Sequence, residues 1–227
     1  MPTHSRLTSA SDAFRNLFFL TLGLASLAPV PAAAQQNWDM RELRLLPPYC
    51  KYTQYFRDRA PGGNDPAEIE RWTALMGRTF IHMHHYCWGL MDGNRAMLFT
   101  RNPQDRTHNL NQSIREFDYV IEKAPPEFAY LPEMLTQKGQ NLILLDKGPE
   151  GVGELRRAIE IRPDYWRAYA AMSDYFKDTG DPKRAREWLQ KGLEASPNAS
   201  ALTRRLDELN AGSRSGHKKS SQQSAEH

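Results

Sequence analysis

Charge of one sign is what this 227-residue chain has little of: 30 lysines and arginines stand against 27 aspartates and glutamates, a formal net charge of +3. The two signs interleave, so no basic stretch offers the footprint of a binder of nucleic acid or of an anionic membrane. Long apolar runs are equally scarce. After the N-terminal segment none approaches the roughly 20 residues of a spanning helix, which excludes a membrane bundle. Catalytic signatures are missing as well. There is no Gly-x-Ser-x-Gly elbow, no His-Glu-x-x-His, no phosphate-cradling glycine loop leading to lysine and no Cys-x-x-Cys-His haem attachment. Carboxylates sit at helix starts or near basic residues, where a solvated surface explains them. No catalytic residue and no cofactor is expected, and the chain is read as a non-enzyme.

The apolar run that does exist lies in Met1–Ala34. Basic Arg6 and Arg15 precede an apolar stretch from Leu17 to Ala28, and Ala32-Ala33-Ala34 supplies a small-residue end. This predicts a signal peptide over 1–34, removed to leave Gln35 first. The alternative, an uncleaved anchor, has a short apolar stretch and must tolerate Pro29 and Pro31. No cysteine follows the stretch, so a lipid anchor is not expected. The predicted destination is an exported compartment, with a bacterial periplasm favoured and the mature chain soluble.

Only Cys50 and Cys87 remain for a chain that meets an oxidising compartment. A disulfide is the economical reading and two separate thiols the other. Register matters here. A simple antiparallel hairpin through Pro61–Asp65 would set Cys50 beside Leu75 and Met76, so a bridge to Cys87 requires the following helix to bend at Gly77.

Residues 35–65 read as an N-terminal arm with a short helix, on one side of which Tyr49, Tyr52, Tyr55 and Phe56 gather before the turn residues Pro61-Gly62-Gly63-Asn64. Asp65-Pro66 opens a long helix: a side-chain acceptor at the cap, then proline where its missing N–H costs nothing. Trp72, Met76, Thr79, Met83, Tyr86 and Leu90 form its buried stripe, with Gly77, Gly89 and Gly93 as places to bend or stop.

From Asp105 onward the chain repeats itself. Helices end at Lys123-Ala124-Pro125, Ile161-Arg162-Pro163 and Ala195-Ser196-Pro197. Counting back from each proline returns Glu122, Glu160 and Glu194; Ile121, Ile159 and Leu193; Phe117, Leu155 and Leu189; and the small Ser113, Gly151 and Ala185. A small residue lets two helix backbones approach, and the large one fills the groove beside it. Leu135, Gly139 and Leu142 in one unit match Tyr169, Ser173 and Phe176 in the next.

These residues resemble the tetratricopeptide-repeat family. In 166–199, Tyr169, Met172, Ser173, Phe176, Gly180, Ala185, Leu189, Gly192 and Pro197 fall where the family places its aromatic, small, turn and terminal-proline residues. Residues 132–165 are a weaker match, and 66–131 a divergent helical hairpin. The resemblance covers roughly half of the mature chain and implies an all-α fold, a right-handed helical-hairpin repeat array, closed by a capping helix over 200–210 with Leu202, Leu206 and Leu209 on its apolar stripe. Residues 211–227 have nothing to bury and are predicted disordered.

The resemblance also implies a function: a protein-binding scaffold or adaptor whose concave face, built from the first helix of each pair, holds a partner's peptide or helix. The residues expected there are Glu133, Thr136, Gln140 and Ile143, then Arg167, Ala170, Asp174 and Lys177. Family members that clamp a C-terminal carboxylate use paired lysines and asparagines, a pattern that Thr136, Gln140, Ala170 and Asp174 do not supply. An envelope-associated assembly is the expected setting. The rival function is copper or zinc binding by His82, His84, His85 and Cys87. At about 100° per residue these four do not converge on one ion: His84 is expected on the flank opposite His82 and His85, so a site would need ligands from elsewhere. No metal ligand is assigned. N-terminal sequencing of purified mature protein should begin at or near Gln35; Met1 on membrane-bound material would be the contrary result.

Overall fold

The computed structural model describes residues 40–223, with side chains to Ala211. The predicted signal segment, its cleavage point and the last four residues lie outside that range. The described chain is all helix, with no strand, and neighbouring helices pack in succession as a helical repeat array. After α1 (Met40–Arg44) come a 3-10 turn (Pro48–Tyr52), α2 (Pro66–Met76), a 3-10 segment (Gly77–His82), α3 (Met83–Asn94) and a π turn (Arg95–Phe99). The hairpin helices follow: α4 (Pro103–Lys123), α5 (Leu131–Leu144), α6 (Gly148–Ile161), α7 (Trp166–Asp178), α8 (Pro182–Ala195) and α9 (Ser200–Gln223).

Helix starts follow a local rule. Asp65 Oδ1 accepts from the Ala67 and Glu68 amides, Asn102 Oδ1 from Gln104 and Asp181 Oδ1 from Arg184, and each cap is followed by proline. Stops follow another. Gly77, with φ at 60°, ends α2, so the long helix read from Asp65 is broken, and the bend needed to bring Cys50 to Cys87 is there. The aromatic set of the arm is corrected in one member. The helix there is a single 3-10 turn, and Tyr55, at φ 65°, swings away from the buried Tyr49, Tyr52 and Phe56 to stand 59% exposed.

The repeat positions are core positions. Phe117, Leu155 and Leu189 are fully buried, as are Ser113 and Ala185, and Gly151 is buried with them. A Cβ added to Gly151 would stand 2.5 Å from the Gly139 carbonyl and 2.7 Å from Ile143 Cγ1, and one added to Gly139 would stand 2.9 Å from the Gly151 carbonyl. The same arrangement recurs one hairpin earlier, where a Cβ on Gly89 would stand 2.5 Å from the Phe117 ring and 3.1 Å from the Ser113 carbonyl. The partner of α4 is therefore α3, not a helix beginning near Ala67. Gly89 precedes Ser113 by 24 residues, whereas Gly139 precedes Gly151 by 12 and Ser173 precedes Ala185 by 12. The first hairpin is thus a third unit of the same packing with about three extra helical turns inserted at its loop. They fall in the π turn and the start of α4, which has 21 residues against 14 in α6 and in α8.

Side chains tie successive units together. Lys138 of α5 bonds Asp118 of α4 at 2.7 Å and Glu154 of α6 at 2.6 Å. Burial opposes its charge, but the two carboxylates outweigh burial and leave its pKa raised. Asn141 Nδ2 donates to Ser113 Oγ at 2.7 Å, and that hydroxyl donates to the Gly89 carbonyl at 2.6 Å, linking α5, α4 and α3. The last helix, α9, seats Leu202 in the core as the predicted cap does and continues to Gln223, past Asn210 where the sequence reading ends it.

The glycines supply a paired test. Gly151→Ala should lower stability by about 1–3 kcal/mol through overpacking, although alanine is the better helix former by about 1 kcal/mol. Gly153, in the same helix with nothing within 4 Å of its added Cβ, should instead gain stability as alanine. Thermal melts of the two variants should move in opposite directions; equal shifts would mean that the close approach at Gly151 is not made.

Candidate binding groove

The first helices of the hairpins carry the predicted face, and the structure divides its eight residues. Glu133 and Gln140 line a groove of about 360 Å³ formed by the arm, α3 and α5. Asp174 and Lys177 line a second cavity, about 670 Å³, between the last hairpin and α9. Thr136 is buried with its hydroxyl donating to the Pro132 carbonyl, and Ala170 is buried outright, so neither offers a surface. Ile143 packs inward against Gly151 and the α6–α8 core. Arg167 is exposed on the first turn of α7, its guanidinium 4.6 Å from the Trp166 ring.

The second cavity is larger, but its charges are spent on each other. Asp174 receives both Arg205 nitrogens at 3.3 Å and has Lys177 at 4.0 Å. The groove differs in kind. Exposed Leu45, Met97 and Leu144 stand among its lining, and Asn94, Gln137 and Gln140 make no side-chain hydrogen bond among the described residues. Glu133 is the one charged side chain of the lining. Its Oε1 accepts from the Tyr86 hydroxyl at 2.7 Å. Burial holds that hydroxyl far above its usual pKa, with Tyr49 and Glu133 adding to the effect, so it remains a donor and keeps the carboxylate oriented.

Leu45, Met97 and Leu144 escaped the sequence reading because they lie in the arm, in the inserted loop and at a helix end, where periodicity carries no information. One signal was present: Met97-Leu98-Phe99 is an apolar triplet in a loop, and all three are exposed.

Three contacts hold the arm as a wall of the groove. Glu42, buried, takes Arg95 of the π turn in a two-nitrogen pair. Cys50 and Cys87 stand at disulfide distance, sulfur to sulfur 2.06 Å and Cα to Cα 5.7 Å. Phe56 packs on Trp88 beside them at 5.0 Å between rings.

The histidine run is taken up by local partners. His84 and His85 are ring neighbours at 4.2 Å, so His84 does not point to an opposite flank as expected; consecutive positions on a broken helix place both rings under the arm and α4. Because a carbonyl only accepts, His84 Nδ1 donates to Ile81 O at 2.9 Å, and His85 Nδ1 meets Glu116 at 2.6 Å. Tyr119 covers His85 at 4.0 Å and His82 at 5.6 Å, while Tyr55 covers His84. Among the described residues no three His, Cys, Asp or Glu gather in a metal-holding group, and no helix is long and apolar enough to cross a membrane.

No protein-family model matches the chain, and no curated protein matches it either.

Burial, then the charge of His85, lowers the His84 pKa from 6.5 to about 4, with the Ile81 bond opposing and His82 adding a little. The unfolded chain therefore takes up this proton first, so the contribution of neutral His84 is whole above pH 6.5 and is lost as pH falls toward 4. His84→Asn keeps a donor for Ile81 O and removes the titration. Over pH 7.5 to 4 its melting temperature should fall less than that of the wild type; parallel curves would show that His84 is not the group responsible.

Proposed function

We propose that this chain is an exported tetratricopeptide-type scaffold that holds an extended segment of a partner protein in the groove between its N-terminal arm and the first helices of its hairpins. The observation that carries the reading is the groove itself: an apolar rim of Leu45, Met97 and Leu144 around unengaged amides, with Glu133 as its one charge. Amide side chains suit a peptide backbone, which brings one donor and one acceptor per residue. Apolar side chains of the segment would cover the rim, and a lysine or arginine would meet Glu133. The resemblance of 132–199 to the tetratricopeptide family supports the class of binder. The predicted signal segment and the cysteine pair at disulfide distance support export, with a bacterial periplasm as the compartment and a Cys50–Cys87 bridge in the mature chain. An envelope assembly is the proposed setting.

The test is a display library of random peptides selected on the mature, oxidised chain. Enriched peptides should carry a basic residue flanked by apolar ones. Paired substitution of Leu45→Asp and Met97→Asp, both exposed, should weaken them by tenfold or more, about 1.4 kcal/mol, at an unchanged melting temperature. Equal binding by that variant would remove the groove from the reading, and no enrichment at all would remove the reading.

A further inference from the structure

A third cavity, about 620 Å³, shares no lining residue with the groove and lies between the arm, α2 and the 3-10 segment Gly77–His82. That volume lies within the roughly 300–1,000 Å³ of small-molecule sites. Its apolar lining includes Tyr52, Ile69, Phe80 and Ile81, the last 58% exposed where a helix of this composition would otherwise turn such a side chain inward.

The charges of this cavity are one-sided. Arg57 and Arg78 line it and no carboxylate does, while the third titratable group, His82, has its pKa lowered by burial and so favours the neutral imidazole. Several other arginines are matched, as in Arg71 with Glu68, Arg95 with Glu42, Arg157 with Glu154 and Arg205 with Asp174, whereas Arg44, Arg101 and Arg115, unmatched among the described residues, stand exposed and line none of the three cavities. Arg57 and Arg78 have no ion pair and no side-chain hydrogen bond among the described residues. Two guanidinium groups on one acid-free, largely apolar cavity call for an oxyanion that also brings apolar surface, since guanidinium matches a carboxylate fork to fork.

The lining also separates an acyl chain from a peptide. Thr73 spends its hydroxyl on the Ile69 carbonyl, leaving Gln54 as the single amide side chain of the lining. A peptide would desolvate an N–H and a C=O at each residue with little to receive them, whereas a hydrocarbon brings no such groups. We infer that this cavity binds an amphiphilic carboxylate, a fatty-acid-type monoanion whose headgroup is taken by Arg57 and Arg78 and whose chain covers Ile69, Phe80 and Ile81. This site is independent of the peptide groove and stands if that reading fails.

Calorimetric titration of the mature, oxidised chain with dodecanoate, kept below its micelle threshold, tests the inference. Saturable one-to-one binding is expected, with dodecanol and acetate each weaker by about tenfold or more. Arg78→Gln, an exposed change, and Arg57→Gln should each weaken dodecanoate by about tenfold, and Ile81→Glu should abolish binding while the melting temperature holds. Should Arg57→Gln lower the melting temperature, Arg78→Gln and Ile81→Glu decide. Absence of saturable binding, equal affinity for dodecanol, or wild-type affinity in Arg78→Gln and Ile81→Glu would overturn the site.

Discussion

Everything described here depends on helix backbones coming together where one of them has almost no side chain. At Gly139 and Gly151 two such positions face each other, and each carbonyl sits where the other residue's Cβ would be. At Gly89 and Ser113 the pair is small against small, with the Phe117 ring beside it, and at the equivalent positions of the last hairpin Ser173, Ala185 and Leu189 are all buried. The gain is dispersion and apolar burial over the whole length of the pair, and it disappears steeply with separation. A hairpin that cannot close this gap has no tight core of its own. Stacking on its neighbour, through Lys138 or Asn141, then has nothing rigid to join.

On that frame the arm is the element that turns packing into cavities. It supplies Leu45 and Pro47 to the groove and Tyr52, Gln54 and Arg57 to the third cavity. Five residues of α-helix and one 3-10 turn cannot hold such a segment by their own hydrogen bonds. Glu42 with Arg95, Phe56 on Trp88 and Cys50 beside Cys87 do so at three points. A bridge across 37 residues would remove about 4 kcal/mol of chain entropy from the unfolded state. Where the arm goes, both cavities follow.

Much of this was legible in the sequence, and the reason is locality. Asp65-Pro66 set a helix start from adjacent residues alone, and the small-and-large pattern before each terminal proline gave the packing register of α4, α6 and α8. The bend at Gly77 followed from the need to bring two distant cysteines together. What failed was non-local. That α3 alone pairs with α4 could not be read while α2 and α3 were taken as one helix, so Gly89 was noted as a weak point rather than as the counterpart of Gly139. The face residues were assigned by analogy of position, and Thr136 and Ala170 were lost to the interior because small side chains at those sites let neighbouring helices close over them.

Apart from Thr136 and Ala170, the departures from the sequence reading fall where the repeat is interrupted, and this has a physical basis. A repeat that stacks well buries its polar groups, so the groove and the third cavity form where a unit is interrupted, while the second cavity forms at the end of the array, between the last hairpin and α9. The three inserted turns bring Met97 to the groove, the break at Gly77 turns Ile81 and Arg78 outward, and the arm, which belongs to no repeat, closes both spaces. The histidine run lies at the junction of the same three interruptions, under Tyr55 of the arm and Tyr119 of α4. Its rings occupy space that a longer regular helix would have filled with aliphatic side chains. Each Nδ1 of His84 and His85 is committed to a neighbour, so these residues act first as polar packing at a joint. A change at one of them should therefore reach the arm, and through the arm both cavities, without either cavity containing His84 or His85.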